Sequence, residues 1–485
     1  MSIKEELYGG IPISSREQNN SFSIVLKNNT SSTILADILG SPTNLKDNAN
    51  AKTSYSYNLA GETYGTNEIS IQFRTTTSQW FQSATLPLNS QNIEGVVYAL
   101  NQLGIGTWFV SGTSVVTYND DYVFGQLLIN SLINPSFYTG TGFDNNVYSV
   151  VVNSVGQVYC GGAFSSYNGN TANAIIKLNQ DGSVDNSFIT GTGFNGNVFA
   201  IAIQADGKII VVGNFTSYNG TAANRIIRLN TDGSVDATFL YGAGFNNPVF
   251  DVKIQQDGYI LVGGNFNTYD GTSAEKIVRL DPIGSIDPSF VYGTGFDNVA
   301  VRKIGIQSDG KIICGGFFTD YNGTPANCII RLNTNGSVDG TFVYGTGFDS
   351  TVNDLFIQPD GKIVLCGAFT TYNGTGANYI IRLNANGSVD GTFVYGTGFD
   401  AQVNALGLLS NGIIIAGGFF TSYDGNASNR IISINSDGSL GSNSYGTGFD
   451  AEPYEIRAVA TGGYFVAGSF TLFDGATANR IISLL

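Results

Sequence analysis

The chain has 485 residues, too many for one ordinary hydrophobic core, so several domains or an array of repeats are expected. Glycine is abundant at 63, proline sparse at 10, and charged residues make up 12%, which suits short strands joined by tight turns and argues against disorder. A net charge of −15, about −4 of it before Phe143 and about −11 after, with no basic stripe, excludes nucleic acid as an expected partner and an anionic membrane surface as a docking plane.

No run of 18 apolar residues is present to span a bilayer, and the first residues, Met-Ser-Ile-Lys-Glu-Glu-Leu-Tyr, lack the apolar core of a secretory signal. Membrane insertion and Sec-type export are therefore not expected. Residues 1–20 are polar and unpatterned. Strands are predicted at Phe22 to Leu26 and at Ser70 to Arg74, with a turn at Asn28 to Ser32 between them. One helix is predicted near 91–103. Ile93, Val96, Val97, Leu100 and Leu103 share a face, Ser90 can cap the start, Glu94 suits the first turn, and Gly104 can close the end. Thr107 to Val110, Ser114 to Tyr118 and Tyr122 to Phe124 look like further strands. Both tryptophans, Trp80 and Trp108, fall in this stretch, which carries no copy of the repeat found later. Residues 1–130 therefore read as a separate, mostly-β domain.

From there to the C-terminus one tetrad recurs. Gly-Thr/Ala-Gly-Phe followed by Asp or Asn ends at Phe143, Phe194, Phe245, Phe296, Phe348, Phe399 and Phe449, at spacings of 51, 51, 51, 52, 51 and 50. So constant a period means one supersecondary unit stacked seven times. In the copy begun by Phe194, Val198 to Ile203 is a strand and Asp206-Gly207 a tight hairpin turn. Lys208 to Val212 is a second strand, apolar on both faces. Tyr218-Asn219-Gly220 opens the next connection, and Arg225 to Leu229 is a third strand. Asp232-Gly233 turns into a fourth strand at Val235 to Leu240. Four antiparallel strands in about 50 residues are the pattern of a propeller blade.

The seventh copy reaches only its third strand, Arg480 to Leu485, while Asn134 to Tyr138, ahead of the first tetrad, matches the fourth strand of the other copies. The expectation is an all-β, seven-bladed β-propeller over 131–485, its ring closed by an N-terminal strand that leaves no open edge.

The repeats resemble the delta-60 type β-propeller repeats, through Gln-x-Asp-Gly-Lys-Ile (Gln204 to Ile209, Gln307 to Ile312, Gln358 to Ile363), then Gly-x-Phe, Tyr-Asn-Gly, Asn-Arg-Ile-Ile-Arg-Leu-Asn and Asp-Gly-Ser-Val-Asp. The resemblance covers about 134–485 and implies a propeller without implying an activity. The first domain is similar to virion proteins of tailed bacteriophages of Bacteroidota, crAss-like phages among them, through Phe-Ser-Ile-Val-Leu-Lys-Asn-Asn-Thr and Leu-Gly-Ile-Gly-Thr-Trp-Phe.

No constellation with catalytic spacing stands out. The chain has no histidine, which rules out a Ser-His-Asp triad in that form. Cys160, Cys314, Cys328 and Cys366 include no CxxC and read as small buried hydrophobes, not a zinc site. Asn230 to Asp236 is similar to a Ca²⁺ loop but lacks its alternating acids and closing Glu, so a turn held by Asx hydrogen bonds is expected. Glutamates in the repeats are few (Glu275, Glu452 and Glu455), so a carboxylate pair for glycoside cleavage is not expected. No helix follows the tetrad's Gly-x-Gly, so it reads as a close approach of backbone to backbone, not a phosphate cradle.

An aromatic recurs at Tyr167, Tyr218, Tyr269, Tyr321, Tyr372, Tyr423 and Phe473. Since Phe473 is accepted, packing is expected before sugar stacking.

The expected role is a non-enzymatic virion structural protein of the tail, a fibre or the capsid decoration. Residues 1–130 would anchor it to other virion proteins, and the propeller would be displayed toward a host glycan or protein, in a homo-oligomer set by the particle. The near-identity of copies three to six suggests a scaffold, not one asymmetric pocket. The alternative is a carbohydrate-binding adhesin or lectin at a cell surface, with one shallow site per blade gap; a glycan-active enzyme ranks third. No cofactor, metal or catalytic residue is assigned, and binding residues stay open.

Overall fold

The computed structural model describes residues 3–6, 23–28, 68–74, 80–87 and 117–118, these as backbone alone, and residues 132–485 apart from 135, 298 and 461. It divides into two compact units, Met1–Ser131 and Leu132–Leu485. Among the described residues there is no helix. The helix expected near 91–103, the turn at 29–32 and the strands expected at 107–110 and 122–124 lie outside them.

In the first unit five antiparallel strands pair in chain order: β1 (Ile3–Glu6), β2 (Ser23–Asn28), β3 (Glu68–Arg74), β4 (Trp80–Pro87) and β5 (Thr117–Tyr118). Leu26 pairs with Ile71 and Ile71 with Ala84, so the alternation that marks β2 and β3 runs across the sheet. Sequence reading missed β4 as a strand.

The second unit repeats one motif. Its first copy has an inner strand β6 (Val147–Val152), a middle strand β7 (Val158–Gly162), a two-residue hairpin β8 (Ser166–Tyr167) and β9 (Asn170–Thr171), and a third strand β10 (Ile175–Leu178). β6, β7 and β10 form one antiparallel sheet, and β8 with β9 a small second one. Seven such three-stranded sheets and seven such hairpins follow one another among the described residues. Middle strands such as Ile209–Gly213 are buried at every position, because each is sandwiched between neighbouring sheets.

The fourth strand differs from expectation. Where Val235 to Leu240 was expected as a strand, the ladder holds a single bridge, Leu229 to Val235, and one further bond from Asp236 N to Arg228 O (3.0 Å). The cause is Asp236. Its Oδ1 accepts hydrogen bonds from Thr238 N (3.0 Å) and Thr238 Oγ1 (2.8 Å), so the backbone curls into an Asx turn instead of pairing onward. The turn drops Phe239 into the core, 4% exposed.

Consecutive copies are locked together by the tetrad. Phe194 N donates to Asn173 O of the preceding copy (3.1 Å), and Asn173 Nδ2 donates to Thr192 O (2.8 Å). Gly193 has φ +68°, and a Cβ there would stand 2.6 Å from Asn173 O, so the approach needs glycine. The same contacts join the seventh copy to the first. Phe143 N donates to Asn479 O (3.2 Å), Asn479 Nδ2 donates to Thr141 O (2.7 Å), and a Cβ on Gly142 would lie 2.6 Å from Asn479 O. Every inner strand lies beside the next, and Pro453–Ala458 lies beside β6. Ile133 bridges Leu484, Asn134 N donates to Ser483 O (2.8 Å), and Phe137 packs edge-on against Phe465.

Candidate functional site in the central channel

The inner strands carry a shared defect. In all seven the register slips by one residue near the strand's start, between Val147 and Ser149, Val198 and Ala200, Val249 and Asp251, Val301 and Lys303, Val352 and Asp354, Val403 and Ala405, and Pro453 and Glu455. The residue skipped by the ladder is a β-bulge, and a bulge re-aims its side chain. Here the bulged residues are Tyr148, Phe199, Phe250, Arg302, Asn353, Asn404 and Tyr454. All seven line one cavity of about 350 Å³, together with Lys303, Gln402 and Phe419. One side chain per copy thus meets at the axis.

The rim has two chemically different arcs. Tyr454, Tyr148, Phe199 and Phe250 form a run of rings with centroids 5.5, 5.6 and 5.7 Å apart. Opposite them, Arg302, Asn353 and Asn404 are polar. The amides are positioned by neighbouring backbone: Asn353 Nδ2 donates to Val403 O (3.1 Å) and Asn404 Nδ2 to Pro453 O (3.4 Å). Gln402 Nε2 donates to Asn404 Oδ1 (2.8 Å).

One to three residues further along the strands lies a tier of charge. Lys303 Nζ stands 3.3 Å from Asp354 and 3.8 Å from Glu455 of the seventh copy. Lys253 lies 3.3 Å from Asp251, and Arg457 lies 2.9 Å from Glu455. Burial works against the Lys303 charge, but Asp354, Glu455 and Asp251 outweigh it and push the pKa above the ordinary lysine value. The aspartates are also ties between sheets, since Asp251 accepts from Ile304 N (2.8 Å) and Asp354 from Leu406 N (2.9 Å). Three carboxylates therefore face three cations. Arg302 is left over and makes no ion pair among the described residues; desolvation by the channel walls draws its pKa below the ordinary value.

Sequence reading left these residues unassigned, and its expectation of a scaffold without an asymmetric pocket does not describe the rim. A signal was present. The residue after the first Val or Pro of each inner strand reads Tyr, Phe, Phe, Arg, Asn, Asn and Tyr.

The other candidates fall elsewhere. The recurrent tyrosines are buried, and from Tyr167 to Tyr423 each hydroxyl donates to a glycine carbonyl at 2.5–2.7 Å, as Tyr218 does to Gly233 O. They are packing groups, closed to a sugar. At Asn230 to Asp236 the loop oxygens are used internally: Ser234 N donates to Asp232 Oδ1 (2.9 Å) and Asn230 Nδ2 to Ser234 Oγ (2.9 Å). Glu452 accepts from Ser469 Oγ (2.7 Å), Glu455 is ion-paired, and Glu275 lies 3.3 Å from Lys276. Cys160, Cys314, Cys328 and Cys366 are free and buried; burial pushes the Cys328 thiol up to about 11. Among the described residues no group of three or more acids or cysteines could hold a metal ion, and no helix is long and apolar enough to cross a membrane.

A sheet repeated around an axis, with each inner strand beside the next, defines a β-propeller repeat protein. The family model described as a domain of unknown function (DUF5122) beta-propeller matches residues 156–188, 204–239, 255–290, 307–342, 358–393 and 409–440. No curated protein matches the chain in sequence. Among solved structures it is similar to the WD40 propeller domain of Doa1, at 16% identity over 73% of this chain and 96% of that one with a TM-score of 0.45. Virginiamycin B lyase of Staphylococcus aureus aligns at 15% identity over 70% and 95%, TM-score 0.43. The extracellular domain of a candidate hybrid two-component system of B. thetaiotaomicron aligns at 14% over 95% and 54%, TM-score 0.46.

Proposed function

We propose that the second unit is a closed seven-bladed propeller, its seam completed by residues 133–137, and that it serves as a non-catalytic binding module with one ligand site per chain at the channel mouth. The observation that carries this reading is the conserved bulge with its unconserved side chain. The backbone device recurs seven times, while the group it delivers differs around the ring and converges on one cavity of about 350 Å³, within the size of a small-ligand site. A structural ring alone would give no reason for the change from rings to amides to guanidinium. The lectin alternative survives in altered form, with a single axial site in place of one site per blade gap.

A virion setting, expected from the first domain's resemblance, draws no support from the comparisons; mass spectrometry of purified particles tests it directly. The binding reading is tested with the full chain on an immobilised glycan panel. The double variant Tyr148→Ala, Phe199→Ala, with an unchanged circular dichroism spectrum, is expected to lose the binding that the unaltered chain shows. Binding that persists in the variant removes the axial site.

A further inference from the structure

Resting on the axial-site reading, we infer that the ligand is a saccharide bearing a carboxylate, a uronic-acid unit, with its ring laid on the aromatic arc and its anion on Arg302. Three observations converge. First, the pocket's charges balance except at one point. Asp251, Asp354 and Glu455 are engaged by Lys253, Lys303 and Arg457 at 2.9–3.8 Å, and of these four channel cations only Arg302 has no counter-ion among the described residues. In a chain of net charge −15, an unmatched guanidinium held at an axis is a specific attractor for one anionic group. Second, Arg302 is exposed, although the residues on either side of it in the strand, Val301 and Lys303, are buried and half-buried. The bulge turns it out of the ladder, so its planar donors are open to a ligand carboxylate in the bidentate geometry that guanidinium favours.

Third, the remainder of the rim suits a body that is neither wholly apolar nor wholly polar. The arc of Tyr148, Phe199 and Phe250 offers ring faces for the C–H surface of a pyranose. Asn353 and Asn404 each commit one Nδ2 hydrogen to backbone, which orients the amides and leaves the oxygen of Asn353 to accept from a sugar hydroxyl. An apolar acid would leave these amides unused, and a neutral sugar would leave Arg302 without a counter-ion.

The test uses the full chain with oligoglucuronate or oligogalacturonate of defined length, and with the same oligomers after reduction of their carboxylates to hydroxymethyl groups, titrated by calorimetry. The expected result is binding of the acidic oligomer that weakens about tenfold or more on reduction of its carboxylates. Arg302→Gln should erase that preference while sparing the residual binding of the reduced oligomer, and Phe199→Ala should weaken both. Equal binding of acidic and reduced oligomers, lost in Phe199→Ala, overturns the carboxylate inference and leaves the axial site standing. Binding insensitive to both substitutions overturns the axial site itself, and no binding of either oligomer overturns the saccharide assignment. Arg302 is exposed on the surface of the channel, so Arg302→Gln opens no buried cavity and a folding defect is not expected; a thermal melt confirms that the variant is comparable.

Discussion

The outer part of each blade and its inner rim obey opposite rules. Outside, the second to fifth copies repeat the same Arg–Asp contact. Arg228 Nε meets Asp236 Oδ2 at 2.7 Å, Arg331 meets Asp339 at 2.7 Å and Arg382 meets Asp390 at 2.7 Å, each guanidinium lying over the following phenylalanine. Each of these arginines also donates to a turn carbonyl of the next copy, at Pro282, Ala385 and Ser436. Inside, the bulge recurs after a Val or Pro in every copy while the residue that it ejects changes. The contrast teaches that a repeat protein can hold an interface fixed by its side chains and a site fixed by its backbone alone, which frees the site's side chains to vary.

That contrast can be broken first where it should be strongest. Phe245→Ala removes a ring packed on Phe266 and Tyr269 at 4.3 and 4.5 Å and is expected to cost about 3–5 kcal/mol in denaturant unfolding. Asp339→Ala should cost about 3 kcal/mol, because it strands the buried Arg331 guanidinium beside Lys311. The pH dependence follows from the same carboxylates. Burial opposes ionisation of Asp185, but hydrogen bonds from Ser187 and Lys177 outweigh it and hold the carboxyl at about 2; Asp236, Asp287, Asp339 and Asp390 are shifted down as well. A folded pKa below the unfolded one stabilises above the unfolded value of about 4 and is lost as pH falls toward the folded one. The thermal midpoint should therefore hold down to pH about 4 and fall steeply from there toward about 2. Tyr218→Phe, which removes the bond to Gly233 O, should cost about 1 kcal/mol, and the seventh copy already carries Phe473 at that place. Smallest of all should be Phe199→Ala at the rim, within about 1 kcal/mol in stability, with its effect read in ligand binding instead. A large loss of stability there would erase the distinction between rim and ladder.

Much of the fold was legible because its signals are local or periodic. The spacing of the tetrad counts the copies, the Asp-Gly turns place the hairpins, and the doubly apolar run Ile209–Gly213 announces a strand covered on both sides. The match of Asn134 to Tyr138 with the fourth strand of the other copies pointed to the segment whose Asn134 contacts Ser483. The fourth strand was over-read because Val235 to Leu240 has strand composition, while one carboxylate, Asp236, diverts the backbone after a single bridge. The site was not legible for a related reason. A bulge is a property of register between two strands, invisible in either strand read alone, and only comparison of the seven copies exposes the column of residues that it ejects.

The contact of Asn134 with the last strand uses a different chemistry from its counterparts within most of the other copies. Where five copies place a carboxylate against a lysine or arginine, Asn134 Nδ2 donates to Ser483 Oγ at 3.1 Å. An amide and a hydroxyl neither gain nor lose a proton across the acid range. That contact is thus indifferent to acidity while its five charged counterparts are not, so acid would loosen the first five copies before it frees Asn134 from the last strand.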